Sequence, residues 1–172
     1  MERNLNHSCL ISSAGVQDVP LIRSLAEMIF PITYQKILSE DQINYMMELM
    51  YHPNVLLDQM TNQGHHFLLI RNDSEDTVGF ASFSALEDPE IIKLHKIYLL
   101  PSYQGQGIGK IFMEEICRQS RQNGARILEL NVNRSNKALY FYENLGFYRF
   151  KTVDIPIGNH FYMNDFLMRL IL

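Results

Sequence analysis

Residues Gln104-Gly105-Gln106-Gly107-Ile108-Gly109 set three glycines at alternate positions. Before them runs an apolar, β-favouring stretch (residues 91–100), and after them Ile108, Ile111, Phe112, Ile116 and Cys117 repeat at helical spacing. Bare backbone at a strand-to-helix junction lets a phosphate approach closely, and the free N–H groups and dipole of the helix favour an anion there. Two common nucleotide sites fail on spacing. A dinucleotide fingerprint needs glycine where Lys110 stands, and a P-loop needs a longer gap between glycines and Ser or Thr where Ile111 stands. A plain turn that uses glycine for its positive φ angles is the remaining alternative.

The wider context separates these readings. Residues 94–110 resemble the Q/R-x-x-G-x-G/A signature of the GNAT superfamily of acyl-CoA N-acyltransferases, with Gln104, Gly107 and Gly109 in its defining positions. Downstream, residues 128–133 resemble the family's next strand, and Asn136 to Phe147 resembles its N-x-A-x-x-F-Y-x-x-x-G-F helix, which closes over the cofactor. The resemblance implies an α/β, single-domain fold over residues 1–172: a mixed, mostly antiparallel central sheet with a splayed strand pair, flanked by helices. It also implies acetyl-CoA as cosubstrate, no metal, and a homodimer as a family-level expectation.

Amide formation needs a neutral amine, a polarised thioester carbonyl and a proton for the departing thiolate. By resemblance, the backbone of Ile97, Tyr98 and Leu99 faces the cofactor arm, and the turn of Gln104, Gly105, Gln106, Gly107, Ile108, Gly109 and Lys110 holds the pyrophosphate. Lys110 either adds charge or is a solvated first-turn lysine. Asn131 and Asn136 complete the cofactor set, although Asn136 equally fits a helix N-cap. Tyr142 matches the family tyrosine that protonates the thiolate; a phenol with an ordinary pKa of about 10 suits that base. For the base, the strand before the glycine turn offers His95, whose imidazole takes a proton directly or through water, or is structural. His7, His52, His65, His66, His160 and Glu129 show no metal spacing and read as structural or surface residues.

The segment before the central sheet, which shapes the acceptor pocket in the superfamily, is rich in Tyr34, Tyr45, Met46, Met47, Met50, Tyr51 and Met60, side chains that equally fit helix core. Residues 34–46 and 163–168 resemble the PaiA-like branch associated with acetylation of spermidine and other polyamines, but Asn164 stands where that branch carries Asp. Glu40, Asp41, Glu48, Asp154 and Asp165 are candidates to line a cation-accepting site. The function expected is N-acetylation of a polyamine or other small amine. Its alternatives are a protein or peptide N-acetyltransferase, needing an open groove, and a non-catalytic acyl-CoA-binding domain.

The elements that must position these residues follow from pattern. The 172-residue chain carries a formal net charge of −4, with no basic block for nucleic acid. Its two cysteines, Cys9 and Cys117, make no disulfide framework and fit a reducing compartment. Residues 1–13 lack a signal-peptide pattern, and no apolar run reaches the ~18 residues of a membrane span, so a cytoplasmic protein without a membrane partner is expected. A first strand at residues 10–11 precedes a helix capped by Asp18 and ending before Pro31. Ser39 to Gln42 has the form of a capping box for a second helix reaching Tyr51, and residues 54–63 suggest a third stopped by Gly64. Strands are expected at 67–70, 78–85, 91–100, 127–132, 147–153 and 161–170, with helices after the glycine turn and at 136–145.

Overall fold

A computed structural model describes residues 9–172; His7 lies outside them. The elements in chain order are β1 (Leu10–Ala14), α1 (Val19–Tyr34), α2 (Glu40–Tyr51), α3 (Pro53–Thr61), β2 (His66–Arg71), β3 (Thr77–Ala85), β4 (Ile91–Leu99), α4 (Ile108–Gln122), β5 (Ile127–Asn133), α5 (Ala138–Asn144), β6 (Tyr148–Gly158) and β7 (Phe161–Ile171). Among the described residues, seven strands form one sheet in the order β1-β2-β3-β4-β5-β7-β6. Every neighbouring pair is antiparallel except β4 with β5. This is the mixed, mostly antiparallel α/β arrangement expected.

Both faces of the sheet are covered, which is why β2 and β3 read as nearly continuous apolar runs. Phe67, Leu69 and Phe80 pack with Ile22, Leu25, Ile29 and Phe30 of α1, and with Met46, Met47 and Tyr51 of α2. Leu68, Ile70, Val78 and Phe83 face the other way, onto Ile108, Phe112 and Ile116 of α4.

Two departures from the sequence expectation matter for the site. Helix α1 runs through Pro31 to Tyr34. Proline there removes its own N–H bond, while its carbonyl still accepts from Gln35 N at 2.8 Å, and the Phe30 and Tyr34 rings pack tilted, 4.5 Å between centroids, against the last turn. The added turn carries Tyr34 to the cofactor cleft. Strand β6 extends to Gly158 rather than stopping near Val153, because Asn159 and His160 (φ 49° and 61°) make the tight turn of a long hairpin. Its tip is fastened to α2: Tyr45 Oη donates to Ile157 O at 2.7 Å, and Gln42 Nε2 donates to Tyr162 O at 2.8 Å. Gln42 therefore does not close the expected capping box, although Ser39 Oγ accepts from Gln42 N at 3.2 Å as an N-cap should. Asp18 stands at the N-cap position of α1 but makes no side-chain cap there; its carboxylate accepts from Gly15 N at 2.8 Å and closes the capping box of a short 3-10 helix, Val16–Asp18.

Candidate active site

The geometry of the site starts at a bulge. In the β3–β4 ladder Ser82 is opposite Lys96 and Phe83 opposite Leu94, so His95 is the extra residue. The parallel pairing of β4 with β5 stops at the same level, Leu94 with Leu130, while both strands continue. The two strands therefore splay, and the gap between them is the floor of a cleft of about 1210 Å³.

Which backbone groups face the gap follows from the alternation of antiparallel pairing. Leu100 N donates to Val78 O at 2.8 Å, so Tyr98 and Lys96 are the residues whose backbones turn toward β3. Ile97 and Leu99 turn theirs toward the gap. The Leu99 carbonyl accepts from Gln104 Nε2 at 3.0 Å, leaving the Leu99 N–H and both groups of Ile97 free at the cleft. Gln104 thus fixes the turn through its side chain instead of reaching into the cleft.

At the head of the cleft Gly105 and Gly107 have φ of 73° and 84°, and a Cβ built on either meets nothing within 4 Å. The backbone is in the left-handed region that glycine tolerates and beside open space. Helix α4 begins directly after, and its first internal bonds run from Lys110 N and Ile111 N to Gly107 O at 3.0 and 3.2 Å. The N–H groups before Lys110 remain available to an anion. Gly109 lies against Leu99 and Phe141, which permits close approach of α4, β4 and α5. The Gln106 side chain bonds back to Ser102 O at 2.7 Å and the Ile108 side chain is buried in the core, so only their backbones can serve a ligand. Lys110 Nζ leans 3.8 Å from Glu114 on an exposed first turn.

Across the cleft stands α5. Asn136 Oδ1 accepts from Ala138 N at 2.9 Å, so Asn136 does cap the helix, and it also lines the cleft near the Tyr34 hydroxyl. Tyr142 is buried between Phe141 and Phe147, with ring centroids 5.4 and 5.7 Å away, and reaches the cleft from one side. Burial, and then the neighbouring Tyr34, push its phenol well above the ordinary tyrosine range. It is protonated at any working pH.

Behind the splay lies a smaller cavity of about 300 Å³ between β4, α1, α2 and the β6–β7 hairpin, sharing Tyr34, His95, Lys96, Tyr98 and Asn131 with the cleft. His95 Nε2 lies 2.8 Å from Ser84 Oγ, and its ring stacks on His65 with centroids 4.0 Å apart. Packing of the ring, then His65, Lys96 and Lys93, hold the His95 imidazole down to about 3. His65, read from sequence as structural or surface, lines this cavity, whereas His66 stands on the other side of the strand beside Phe83. Asn131 accepts from Lys93 Nζ and donates to Asp165 at 3.4 Å. Glu129 is structural, bridging Lys93 at 3.1 Å and Arg169 at 2.9 Å. Among the described residues no group of His, Cys, Asp and Glu is arranged to hold a metal ion, and no helix is long and apolar enough to cross a membrane.

Of the acids named from sequence as candidates for a cation site, only Asp165 lines the cavity. Glu48 is exposed beside Arg23 and Asp154 pairs with Arg134, while Glu40 and Asp41 sit exposed in the first turn of α2. Sequence reasoning missed Lys96, which is 6% exposed and lines both cavities. A lysine in the midst of an apolar strand was the available signal.

Comparison with known proteins agrees with this geometry. Residues 24–147 match the family model described as the acetyltransferase (GNAT) family. An alanine N-acetyltransferase of ribosomal protein bS18 from Haemophilus influenzae is 34% identical over 87 residues, 50% of this chain and 58% of that protein. The chain thus spans little more than half the length of that relative. An uncharacterized N-acetyltransferase of Mycobacterium tuberculosis is 26% identical over 152 residues, 88% of this chain and 96% of its own length. Among solved structures, the PaiA N-acetyltransferase of Thermoplasma acidophilum in complex with coenzyme A superposes with a TM-score of 0.79 at 24% identity, covering 96% of this chain and 99% of that one. With an open glycine turn, a splayed β4–β5 pair and a matching family model over most of its length, this chain belongs to the acetyltransferase (GNAT) family.

Proposed function

We propose that residues 1–172 form one catalytic domain that transfers an acetyl group from acetyl-CoA to the primary amine of a small molecule. The observation that carries this reading is that a single cleft gathers the open turn at Gly105 and Gly107, the unpaired backbone of Ile97 and Leu99, and the Tyr142 hydroxyl. The donor set fits the cofactor: free N–H groups at a helix start for a pyrophosphate, and free strand edge for an amide-bearing arm. Bound there, acetyl-CoA would supply the acetyl group as an activated thioester.

The residues divide the work as follows. Backbone N–H groups on the free edge of β4 polarise the thioester carbonyl as charge develops on its oxygen. The neutral amine forms the C–N bond, the C–S bond breaks, and Tyr142 gives its phenolic proton to the departing thiolate. The proton lost from the amine leaves to solvent through water that passes His95. That imidazole is neutral at any working pH, so it orients the water by accepting a hydrogen bond and is not a proton store.

The small volume of the cavity behind the splay supports a small acceptor over a protein terminus: the β6–β7 hairpin, tied to α2 by Tyr45 and Gln42, narrows it with Ile155, Tyr162 and Met163. The similarity to a ribosomal-protein acetyltransferase favours the second reading, a protein amine acceptor. The likeness to the PaiA-like branch points to a polyamine within the small-amine class, although a single carboxylate, Asp165, is little to hold a polycation. Thiol release from acetyl-CoA, measured with a panel of small amines, polyamines and peptides, tests the proposal. Acceleration by a small amine is expected. Tight acetyl-CoA binding with no acceleration by any amine would leave a binding domain in its place.

A further inference from the structure

The cavity of about 300 Å³ behind the splay contains two ionisable groups, Lys96 and Asp165, that form no salt bridge among the described residues. Lys96, 6% exposed, donates from Nζ to the neutral Oε1 of Gln59 at 3.0 Å and lies 5.5 and 5.8 Å from the ring centroids of Tyr51 and Phe67. Asp165, 5% exposed, has one side-chain partner, Asn131 Nδ2 at 3.4 Å. The other ionisable groups on the wall are accounted for. Lys93 is bridged to Glu129 and, with Arg134, acts on Asp165 only at longer range, through Asn131, which bonds to both Lys93 and Asp165; the stacked His65 and His95 are neutral at working pH.

A buried charge without a counter-ion is costly in the free protein. The same charge is an asset if a ligand brings the opposite one, since a charge-assisted hydrogen bond in a desolvated site is among the stronger contacts available. Here one cation and one anion stand on opposite sides of the gap between β4 and β5. Lys96 is on β4, and Asp165, opposite Asn133 in the ladder, is on β7 beyond β5. Asp165 is bonded to Asn131, which lines both the cavity and the cofactor cleft, so the carboxylate stands near where the two meet. The volume admits a molecule of amino-acid size.

We infer that the acceptor is a zwitterion of amino-acid size, its ammonium approaching along Asp165 and its carboxylate received by Lys96. This rests on the acetyltransferase reading and replaces the polyamine as the acceptor class within it. A polyamine would place a second positive charge against Lys96. A peptide amino terminus would offer it an uncharged amide.

Matched pairs of acceptors test the inference: alanine against ethylamine, phenylalanine against phenethylamine, ornithine against putrescine, with spermidine and an amidated alanyl peptide alongside. In each pair the carboxylated member should show the higher kcat/KM in thiol release, by about tenfold or more. In Lys96→Gln that ratio should collapse toward one, chiefly through KM for the amino acid, with Lys96→Arg retaining part of it. Coenzyme A binding by the variants, measured by calorimetry, reports whether the cleft is intact. Should that binding be lost in Lys96→Gln, the wild-type ratios and Lys96→Arg decide. Faster turnover of putrescine, spermidine or the peptide overturns the inference and leaves the acetyltransferase reading standing. Unchanged pair ratios in a Lys96→Gln variant that binds coenzyme A overturn it as well. If no amine accelerates release from a protein that binds acetyl-CoA, the acetyltransferase reading fails and takes this inference with it.

Discussion

The imidazoles of His65 and His95 lie face to face, 4.0 Å between centroids and 11° from parallel, at the rim where the cofactor cleft meets the acceptor cavity. Two rings so placed cannot both be charged. With Lys96 adjacent, burial first and then positive neighbours hold His65 near 4 and His95 near 3. The pair is a neutral, polar wall throughout the range in which an acetyltransferase works.

In the unfolded chain both histidines take up protons around 6.5, whereas the folded protein refuses them until near 4 and 3. Between those limits the unfolded state binds more protons, so stability falls as pH drops below about 6.5. Urea unfolding between pH 7 and 4 should show this loss, and it should be reduced in His95→Phe. In a histidine NMR titration, His95 should not move between pH 8 and 5; a midpoint near 6.5 would contradict the stacked, neutral pair.

Tyr142 is the group on α5 with a proton to give at the cleft. Tyr142→Phe keeps the ring that packs on Phe141 and Phe147 and removes only the hydroxyl. Turnover should fall by about 10² or more, the usual worth of a positioned general acid, with acetyl-CoA affinity nearly unchanged. Unchanged turnover would remove Tyr142 as the acid.

Gly107 tests the anion cradle. At φ 84°, alanine is strained by roughly 1–2 kcal/mol, and its methyl would stand in the open space at the start of α4. Gly107→Ala should therefore lower both thermal stability and acetyl-CoA affinity, whereas Lys110→Ala, whose amine leans toward Glu114 on the surface, should change affinity little. Calorimetric titration with coenzyme A checks both.

The glycine turn, the α5 motif and the alternation of strands were legible because each is local in sequence. The acceptor side was not. Strict alternation along β4 puts Lys96 and Tyr98 on the face of Ile92 and Leu94, toward α4. The bulge at His95 shifts the period by one, so Lys96 and Tyr98 instead face α1, α2 and α3 with Phe67 and Tyr51. Nothing in the residue types near His95 announces that shift. Pro31 misled for a related reason: helix α1 outlasts it because Tyr34, one turn on, packs against the core shared by α1, α2 and the sheet, a tertiary gain that local rules do not contain. The wall built by Ile155, Tyr162 and Met163 depends on the hairpin docking onto α2, over 100 residues away in the chain.

Lys96 gives the most direct measure of what the acceptor cavity costs the fold. Burial lowers its ammonium from 10.5 to about 8, so at neutral pH the folded protein carries a charge that the unfolded chain keeps in water at no penalty. Between pH 8 and 10.5 the unfolded state holds more protons, and stability should rise with pH across that window and level off above it. The difference corresponds to a destabilisation on the order of 3 kcal/mol at pH 7 relative to an uncharged side chain. Lys96→Met keeps the aliphatic stem over Tyr51 and Phe67 and removes the ammonium. Its melting temperature at pH 7 should exceed that of the wild type, and its stability should be flatter between pH 8 and 10. A variant less stable than the wild type at pH 7 would mean that Gln59 and the two rings already compensate the charge, and that the free protein has no need of an anionic partner there.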